Sequence, residues 1–430
     1  MLAPADAALA ARDAAVPGLR TVLDPPALLG RLAEALPDAT LGEGRAEYVR
    51  YKPATSCTVG YRFVVEGRDV DAYAKAVAGE GAPKLDKALE QAPPAGPAAL
   101  RAVEVGDGVV VAFFPNDPRL PGVGRLGDPK RRRRLLAAVL PEHEALWEAP
   151  LQRLRYKPER RYVARVGPVD GTAAVIKCYA DTAFASARRG MRGAAEASPH
   201  VAPLLGASRQ RAVLAFPWLP GRPLDELLAS ADADAGGPDL LAVLDDVGRA
   251  LLAVHRGSTR NLAVRGPVAE AQRLDATVRS LAAILPAAEQ RAALLAADLT
   301  AAVLTTEDPT AAVHGDFSAD QVLVGPDTLH LIDFDQTAAA DPAADFGRFA
   351  AALDADVLDG RLSAAHAAAA IGALCDGYRA AGGTLDDDRL RLHRVMALVH
   401  VAPEPFRHRR ASWPAHCEER LRHAAAVWTS

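Results

Sequence analysis

The stretch His314 to Asp335 reads HGDFSADQVLVGPDTLHLIDFD. Asp316 lies in a turn after the apolar run Ala311, Ala312, Val313, and Gln321 follows five positions later. Val322, Leu323 and Val324 predict a short strand, Gly325-Pro326-Asp327 a turn, and Leu329 to Ile332 a second strand. Apolar runs of this length, bounded by Gly, Pro and Asp, are strand signals. Asp333 and Asp335 stand at the end of the second strand. A hairpin here brings Asp316, Gln321 and Asp333 to one edge.

Phosphoryl transfer needs this set of groups. A carboxylate in a loop accepts or orients the proton of an attacking hydroxyl. A carboxamide oxygen and a second carboxylate hold Mg²⁺ through hard oxygen ligands. The segments HGDFSADQ and LIDFD resemble the pattern HGD-x4-N followed by I-D-[FW]-[DEG] of the kinase-like phosphotransferases: aminoglycoside phosphotransferases, choline kinases and their relatives. The resemblance implies ATP and Mg²⁺ as cofactors, Asp316 as the catalytic base, and Gln321 and Asp333 as magnesium ligands. It also implies His314 as a support of the loop and Asp335 as a further acid behind the metal. The family usually has Asn where this chain has Gln321. Gln keeps the amide oxygen and adds a methylene, and maltokinases and related amino-sugar kinases of the superfamily also carry Gln here. The plain alternative is a hairpin whose acids only cap turns, and the joint spacing argues against it.

Composition sets the frame. At 430 residues the chain has room for two or three domains. Half of it is hydrophobic and 24% is charged, an ordinary balance for a globular protein. A net charge of -4 gives no case for nucleic acid or an anionic membrane. Cys57, Cys178, Cys375 and Cys417 are far apart and make no metal-type spacing, so a reduced, cytoplasmic chain is expected. The first residues show no basic-then-apolar signal pattern. The apolar stretch Ala364 to Cys375 is interrupted by His366 and is too short to span a bilayer.

The first half contains a repeat. Arg50-Tyr51-Lys52-Pro53 is matched by Arg155-Tyr156-Lys157-Pro158, and each is followed by two strand patterns ending in a lysine, Lys75 and Lys177. Kinase N-lobes have this plan: two strands flank a loop over the ATP phosphates, and the third carries a phosphate-contacting lysine. The second copy adjoins the half that carries Asp316, which favours Lys177 as the nucleotide lysine. The first copy then reads as a cap of similar shape, as in maltokinase-like enzymes. No glycine-rich loop is present; Lys157-Pro158-Glu159-Arg160-Arg161 stands in its place, with Arg160 and Arg161 as phosphate candidates or a solvated hairpin tip.

Other signals are local. Pro83 to Ala92 is expected as a helix and Pro93 to Pro97 as a loop. Asp128 and Pro129 predict a helix start, and the arginines that follow read as a solvated face. A helix over Thr182 to Ala197 carries Glu196, the candidate partner of Lys177 or a surface acid. Val201 to Leu205 and Ala212 to Phe216 read as strands. The segment Phe216 to Leu224 resembles the family's hinge; Pro217 lacks an N–H, so Trp218 or Leu219 is the expected adenine donor. Asp345, in Asp341-Pro342-Ala343-Ala344-Asp345-Phe346, is expected to cap a helix and orient the catalytic loop. His255 reads as packing. On Asp386 to Arg394 acids and arginines alternate without acidic excess, which leaves a neutral or amino sugar at least as good an acceptor as a polycationic antibiotic.

The expectation is an α+β, bilobal protein-kinase-like fold. Residues 1–150 form an N-terminal α/β cap, 151–220 a kinase-like N-lobe, and 221–430 a largely helical C-lobe. The expected activity is ATP- and Mg²⁺-dependent transfer of a phosphoryl group to a hydroxyl of a small molecule, a sugar or amino sugar. An aminoglycoside phosphotransferase is the alternative, and a non-catalytic nucleotide-sensing module is the alternative of another class. A protein kinase fits poorly, because IDFD leads almost directly into Asp341-Pro342 with no activation segment.

Overall fold

The computed structural model describes residues 2–79, 100–168, 170–230, 239–307 and 311–430. The helix expected over residues 83–92 and the loop at 93–97 lie outside them. The chain divides into two compact units. One comprises residues 1–184, 205–218 and 405–414; the other comprises 185–204, 219–404 and 415–430.

The first unit opens with α1 (Pro4–Arg12), α2 (Leu19–Leu23) and α3 (Pro25–Ala35). Strands β1 (Leu41–Lys52), β2 (Ser56–Val65), β3 (Arg68–Val77), β4 (Ala102–Glu104) and β5 (Val109–Phe113) follow. Next come α4 (Pro129–Val139), β6 (Leu151–Lys157), β7 (Arg161–Val166) and β8 (Ala174–Tyr179). Helix α5 (Asp181–Ala197) begins in this unit, and β9 (Gly206–Ser208) and β10 (Val213–Pro217) complete it. The two antiparallel sheets have one plan: their strand orders are β1-β2-β3-β5-β4 and β6-β7-β8-β10-β9. The strand expected at Val201 to Leu205 forms instead at Gly206–Ser208, where Gly206 pairs with Ala215. Pro203, lacking an N–H, sits just before it.

The repeat is deeper than four matching letters. Asp24 and Asp128 cap α3 and α4, each followed by proline at the first helical position. In both copies the Lys-Pro dipeptide opens a tight turn, closed by Thr55 N–H to Lys52 O and by Arg160 N–H to Lys157 O, each 3.1 Å. The third turn residue has positive φ, +54° at Ala54 and +59° at Glu159, as a type II turn requires. A single carboxylate oxygen anchors each turn. Asp13 Oδ2 accepts the Tyr51 hydroxyl (2.6 Å) and the Ala54 N–H (2.9 Å). Asp117 Oδ2 accepts the Tyr156 hydroxyl (2.9 Å) and the Glu159 N–H (2.8 Å). Aspartate precedes tyrosine by 38 residues in one copy and 39 in the other. Gly18 and Gly122 also match. A Cβ on Gly18 would lie 2.2 Å from Val109 Cγ2, and one on Gly122 2.4 Å from Val213 Cγ2, so in each copy a chain segment approaches the sheet too closely for a side chain.

Leu135, Leu136 and Val139 of α4 pack with Ile176, Cys178 and Val213 in one core cluster. Strand alternation therefore puts Lys177 on the opposite face of that sheet. The segment 405–414 is tied into this unit by Arg409, which donates to both oxygens of buried Asp6 (3.0 and 2.7 Å), and by Trp413 Nε1, which donates to Asp6 at 3.2 Å.

The second unit is mostly helical. It contains α6 (Leu224–Ser230), α7 (Leu240–His255), α8 (Pro267–Ile284), α9 (Glu289–Val303), α10 (Ala343–Leu358), α11 (Ala364–Ala380) and α12 (Asp387–Val401). Short α13 (Glu404–Arg407) and α14 (Trp413–Thr429) end the chain. Among these helices run β11 (Arg222–Pro223), β12 (Ala263–Val264), β13 (Ala311–Val313), β14 (Val322–Val324), β15 (Leu329–Leu331) and β16 (Ala338–Ala340). They form two small sheets, β11-β14-β15 and β12-β16-β13. The expected hairpin is β14 and β15, paired with Val322 opposite Leu331. Of the alternating charges on α12, Arg389 and Arg394 pair with Asp341 and Asp354, whereas Arg391 pairs with Asp388.

Candidate active site

The loop after β13 is fixed from every side. His314 is fully buried. Its Nε2 lies 2.8 Å from the Ile332 carbonyl, and its Nδ1 receives the Asp316 N–H at 3.4 Å. A carbonyl only accepts, so Nε2 carries a proton directed at Ile332. Gly315 has φ +84°, and a Cβ there would lie 2.2 Å from the Gln336 carbonyl oxygen. Arg265 donates to the Gly315 carbonyl (3.1 Å) and to the Gln336 carbonyl (2.8 Å).

Asp345 binds the other side of the same peptides. Its Oδ2 accepts the His314 N–H (2.7 Å), and its Oδ1 accepts the Gly315 N–H (2.8 Å). His255 Nε2 donates to Oδ2 at 3.0 Å, and His255 Nδ1 meets the Tyr378 hydroxyl at 3.0 Å. Burial pushes this carboxyl up. The hydrogen bond and charge of His255, with His314 and the Gly315 N–H, outweigh it and hold the carboxyl below its usual range. Asp345 is not the helix cap: it lies within the first turn of α10, and Asp341 Oδ1 accepts the Ala343 N–H at 2.9 Å. His255 is more than packing, since it links Tyr378 to Asp345.

Helix α10 sends two further groups to this loop. Arg348 Nε donates to Asp316 Oδ1 at 3.0 Å. Phe349 stacks on Phe317 with centroids 5.6 Å apart. The Asp316 side chain is 55% exposed, against complete burial of His314 two residues earlier. The loop thus presents the accessible Asp316 carboxylate on a buried, hydrogen-bonded base.

Gln321 ends a tight turn, and its carbonyl accepts the Ile332 N–H at 2.9 Å. That bond extends the hairpin by one pair and puts Gln321 opposite Ile332, the residue before Asp333. Asp333 adopts left-handed backbone (φ 69°, ψ 47°), a conformation Asp tolerates better than most residues. Asp335 is buried in the turn that follows. The donors near this edge are hard oxygens. No cluster of three or more His, Cys, Asp or Glu fit to hold a metal occurs among the described residues.

The nucleotide candidates of the first unit are placed by its second sheet. Lys177 is buried on β8, with Nζ 5.3 Å from the Phe216 ring centroid. Lys75, its repeat, is engaged otherwise: Nζ lies 2.5 Å from Glu159 Oε1, and Arg50 binds Oε2 of the same side chain. Arg160 donates to the Tyr48 hydroxyl at 3.3 Å, and Arg161 belongs to β7 rather than to the turn. The Trp218 N–H is already donated to the Ala173 carbonyl at 3.1 Å, so Trp218 is not the adenine donor; its indole stacks on Arg165, 4.8 Å away. Leu219 and Glu196 belong to the second unit, and Glu196 is exposed near the end of α5. Arg265, Arg348, Tyr378 and Asp117 escaped the sequence reading. A comparison of the repeats beyond Arg-Tyr-Lys-Pro would have aligned Asp117 with Asp13.

Residues 140–393 match the family described as phosphotransferase enzyme family. The chain belongs to the phosphotransferase enzyme family. The match spans the buried loop, the hairpin and the Lys177 sheet. Among solved structures, a choline/ethanolamine kinase family protein from Mesorhizobium loti aligns at 16% identity, covering 70% of this chain and 95% of that one, with a TM-score of 0.50. A choline kinase from Cryptosporidium parvum aligns at 9% identity over 70% and 96% of the two chains, TM-score 0.48. A thermostable mutant of an aminoglycoside phosphotransferase, in complex with ADP and hygromycin B, aligns at 14% identity over 68% and 98%, TM-score 0.49. No curated protein matches in sequence. This phosphotransferase has the mixed α+β kinase-like fold. Among its described residues no helix is long and apolar enough to cross a membrane.

Proposed function

We propose that this phosphotransferase moves the γ-phosphate of ATP to a hydroxyl of a small molecule, a sugar or amino sugar, in the presence of Mg²⁺. The observation that carries the reading is Asp316, an accessible carboxylate beside a backbone held by Asp345, His314 and Arg265. Arg348 engages Oδ1, which leaves Oδ2 to receive the acceptor's proton. In a loose phosphoryl-transfer transition state the base needs placement more than strength, and a carboxylate fixed by arginine suits that. Gln321 and Asp333 are the metal ligands in this reading. When bound, Mg²⁺ neutralises phosphate charge and aligns the γ-phosphate. Lys177 is the phosphate contact in this reading, and the engagement of Lys75 by Glu159 supports that choice.

One feature favours an acceptor that bears an amine. Burial raises the Asp225 carboxyl, and the charges of Asp320, Glu226 and Asp356 raise it further. Asp225 Oδ1 is buried and has no hydrogen-bond partner among the described residues. A cationic acceptor group bound at Asp225 would relieve that repulsion, so amine-bearing acceptors rank above neutral sugars. The test is Mg²⁺-dependent ATP consumption over glucose, maltose, glucosamine, other amino sugars and aminoglycosides. Turnover with an amine-bearing acceptor supports the reading. ATP binding without turnover on the whole panel points to a sensing module.

A further inference from the structure

The repeat supplies an internal template for the phosphate site. In the first sheet Arg50 pairs with Thr58, and Thr58 with Lys75. In the second, Arg155 pairs with Val163, and Val163 with Lys177. Residues directly opposite on neighbouring strands share a face, so each sheet carries a row of arginine, a central small residue and lysine. In the first row an anion already sits between the cations: the Glu159 carboxylate gives one oxygen to Lys75 and the other to Arg50. Glu159 is buried, and its positive-φ backbone, a position that favours glycine, is held by Asp117. In the second row Arg155 is exposed and makes no hydrogen bond or ion pair with a described residue. The row lies on the sheet face opposite the α4 core.

We propose that Arg155 is a phosphate-binding residue for the nucleotide, acting across Val163 from Lys177. Glu159 occupies the equivalent site of the first copy as a built-in anion. The first sheet is then an N-lobe whose anion site is closed by the turn of the second, which fixes that turn in place of a glycine-rich loop. The inference rests on the phosphotransferase reading and adds a residue to its nucleotide site.

The experiment is equilibrium binding of MgATP, by calorimetry, to the full chain and to Arg155→Gln and Arg155→Lys, with adenosine as a phosphate-free probe. Removing one charge-assisted contact should weaken MgATP about tenfold or more in Arg155→Gln. Arg155→Lys should recover part of the loss, and adenosine should bind all three proteins alike. Equal MgATP affinity in wild type and Arg155→Gln overturns the proposal. So does parallel loss of adenosine, which marks a merely structural arginine. Absence of MgATP binding by the wild type would instead sink the phosphotransferase reading, and this inference with it.

Discussion

Asp345→Asn replaces one oxygen of a buried carboxylate by an NH₂ group at a point where three donors converge. The amide oxygen can take the place of Oδ2 and keep the His314 N–H and His255 Nε2–H, now without charge. The NH₂ then faces the Gly315 N–H, donor against donor. Losing one hydrogen bond to a charged acceptor costs about 2 kcal/mol, and weakening the other two adds roughly 1 kcal/mol. A loss of about 3 kcal/mol corresponds to a fall in Tm of roughly 6–12 °C for a unit of this size. The displaced Gly315 peptide carries Asp316 with it, and a misplacement near 1 Å costs about a hundredfold in rate. The assay is differential scanning calorimetry beside initial rates of phosphoryl transfer, with MgATP affinity as control. The carboxyl is held below its usual range in the fold, so its contribution is complete above about pH 4 and fades as pH falls through the lower folded value. The asparagine variant should lack that acid-side loss. A variant with wild-type Tm and rate would refute the reasoning.

Two other substitutions probe the frame. Gly315→Ala puts a Cβ 2.2 Å from the Gln336 carbonyl at φ +84°; beyond the roughly 1–2 kcal/mol cost of that backbone for an L-residue, the peptide must move, and transfer should fall with MgATP affinity retained, as rates and calorimetry would show. Burial pushes the Asp117 carboxyl up to about 6. Its neutral form is therefore favoured by the fold: stability is highest below about pH 4 and falls by up to about 3 kcal/mol as pH rises through 6. Urea unfolding of wild type against Asp117→Asn at pH 4 and pH 7 measures this, and parallel pH dependence in the two proteins would contradict it.

The hairpin and its acids were legible because their determinants are local: Asp316, Gln321 and Asp333 sit within one short segment whose turns are written in Gly, Pro and Asp. What holds that segment was not. Arg348 and Arg265 come from 32 and 50 residues away to bind Asp316 and Gly315, and nothing in their own neighbourhoods distinguishes them from other arginines of this Arg-rich chain. Trp218 was misread because hinge geometry was taken from a motif, whereas its N–H is consumed by Ala173 across the sheet. The repeat was half seen. Arg-Tyr-Lys-Pro stood out as four consecutive letters, while Asp13 and Asp117, Gly18 and Gly122, and the Asp-Pro helix starts are scattered. Their equivalence stands out once the hydrogen bonds of the two turns are laid side by side.

The central claim is that Asp316 is the base of a phosphoryl transfer. Its most direct test is mass-spectrometric detection of phosphorylated acceptor from MgATP, with wild type and Asp316→Ala compared on the acceptor that wild type uses best. The account predicts product with wild type, none above background with Asp316→Ala, and MgATP bound by both with similar affinity. Product formed by Asp316→Ala at a rate near that of wild type would contradict it.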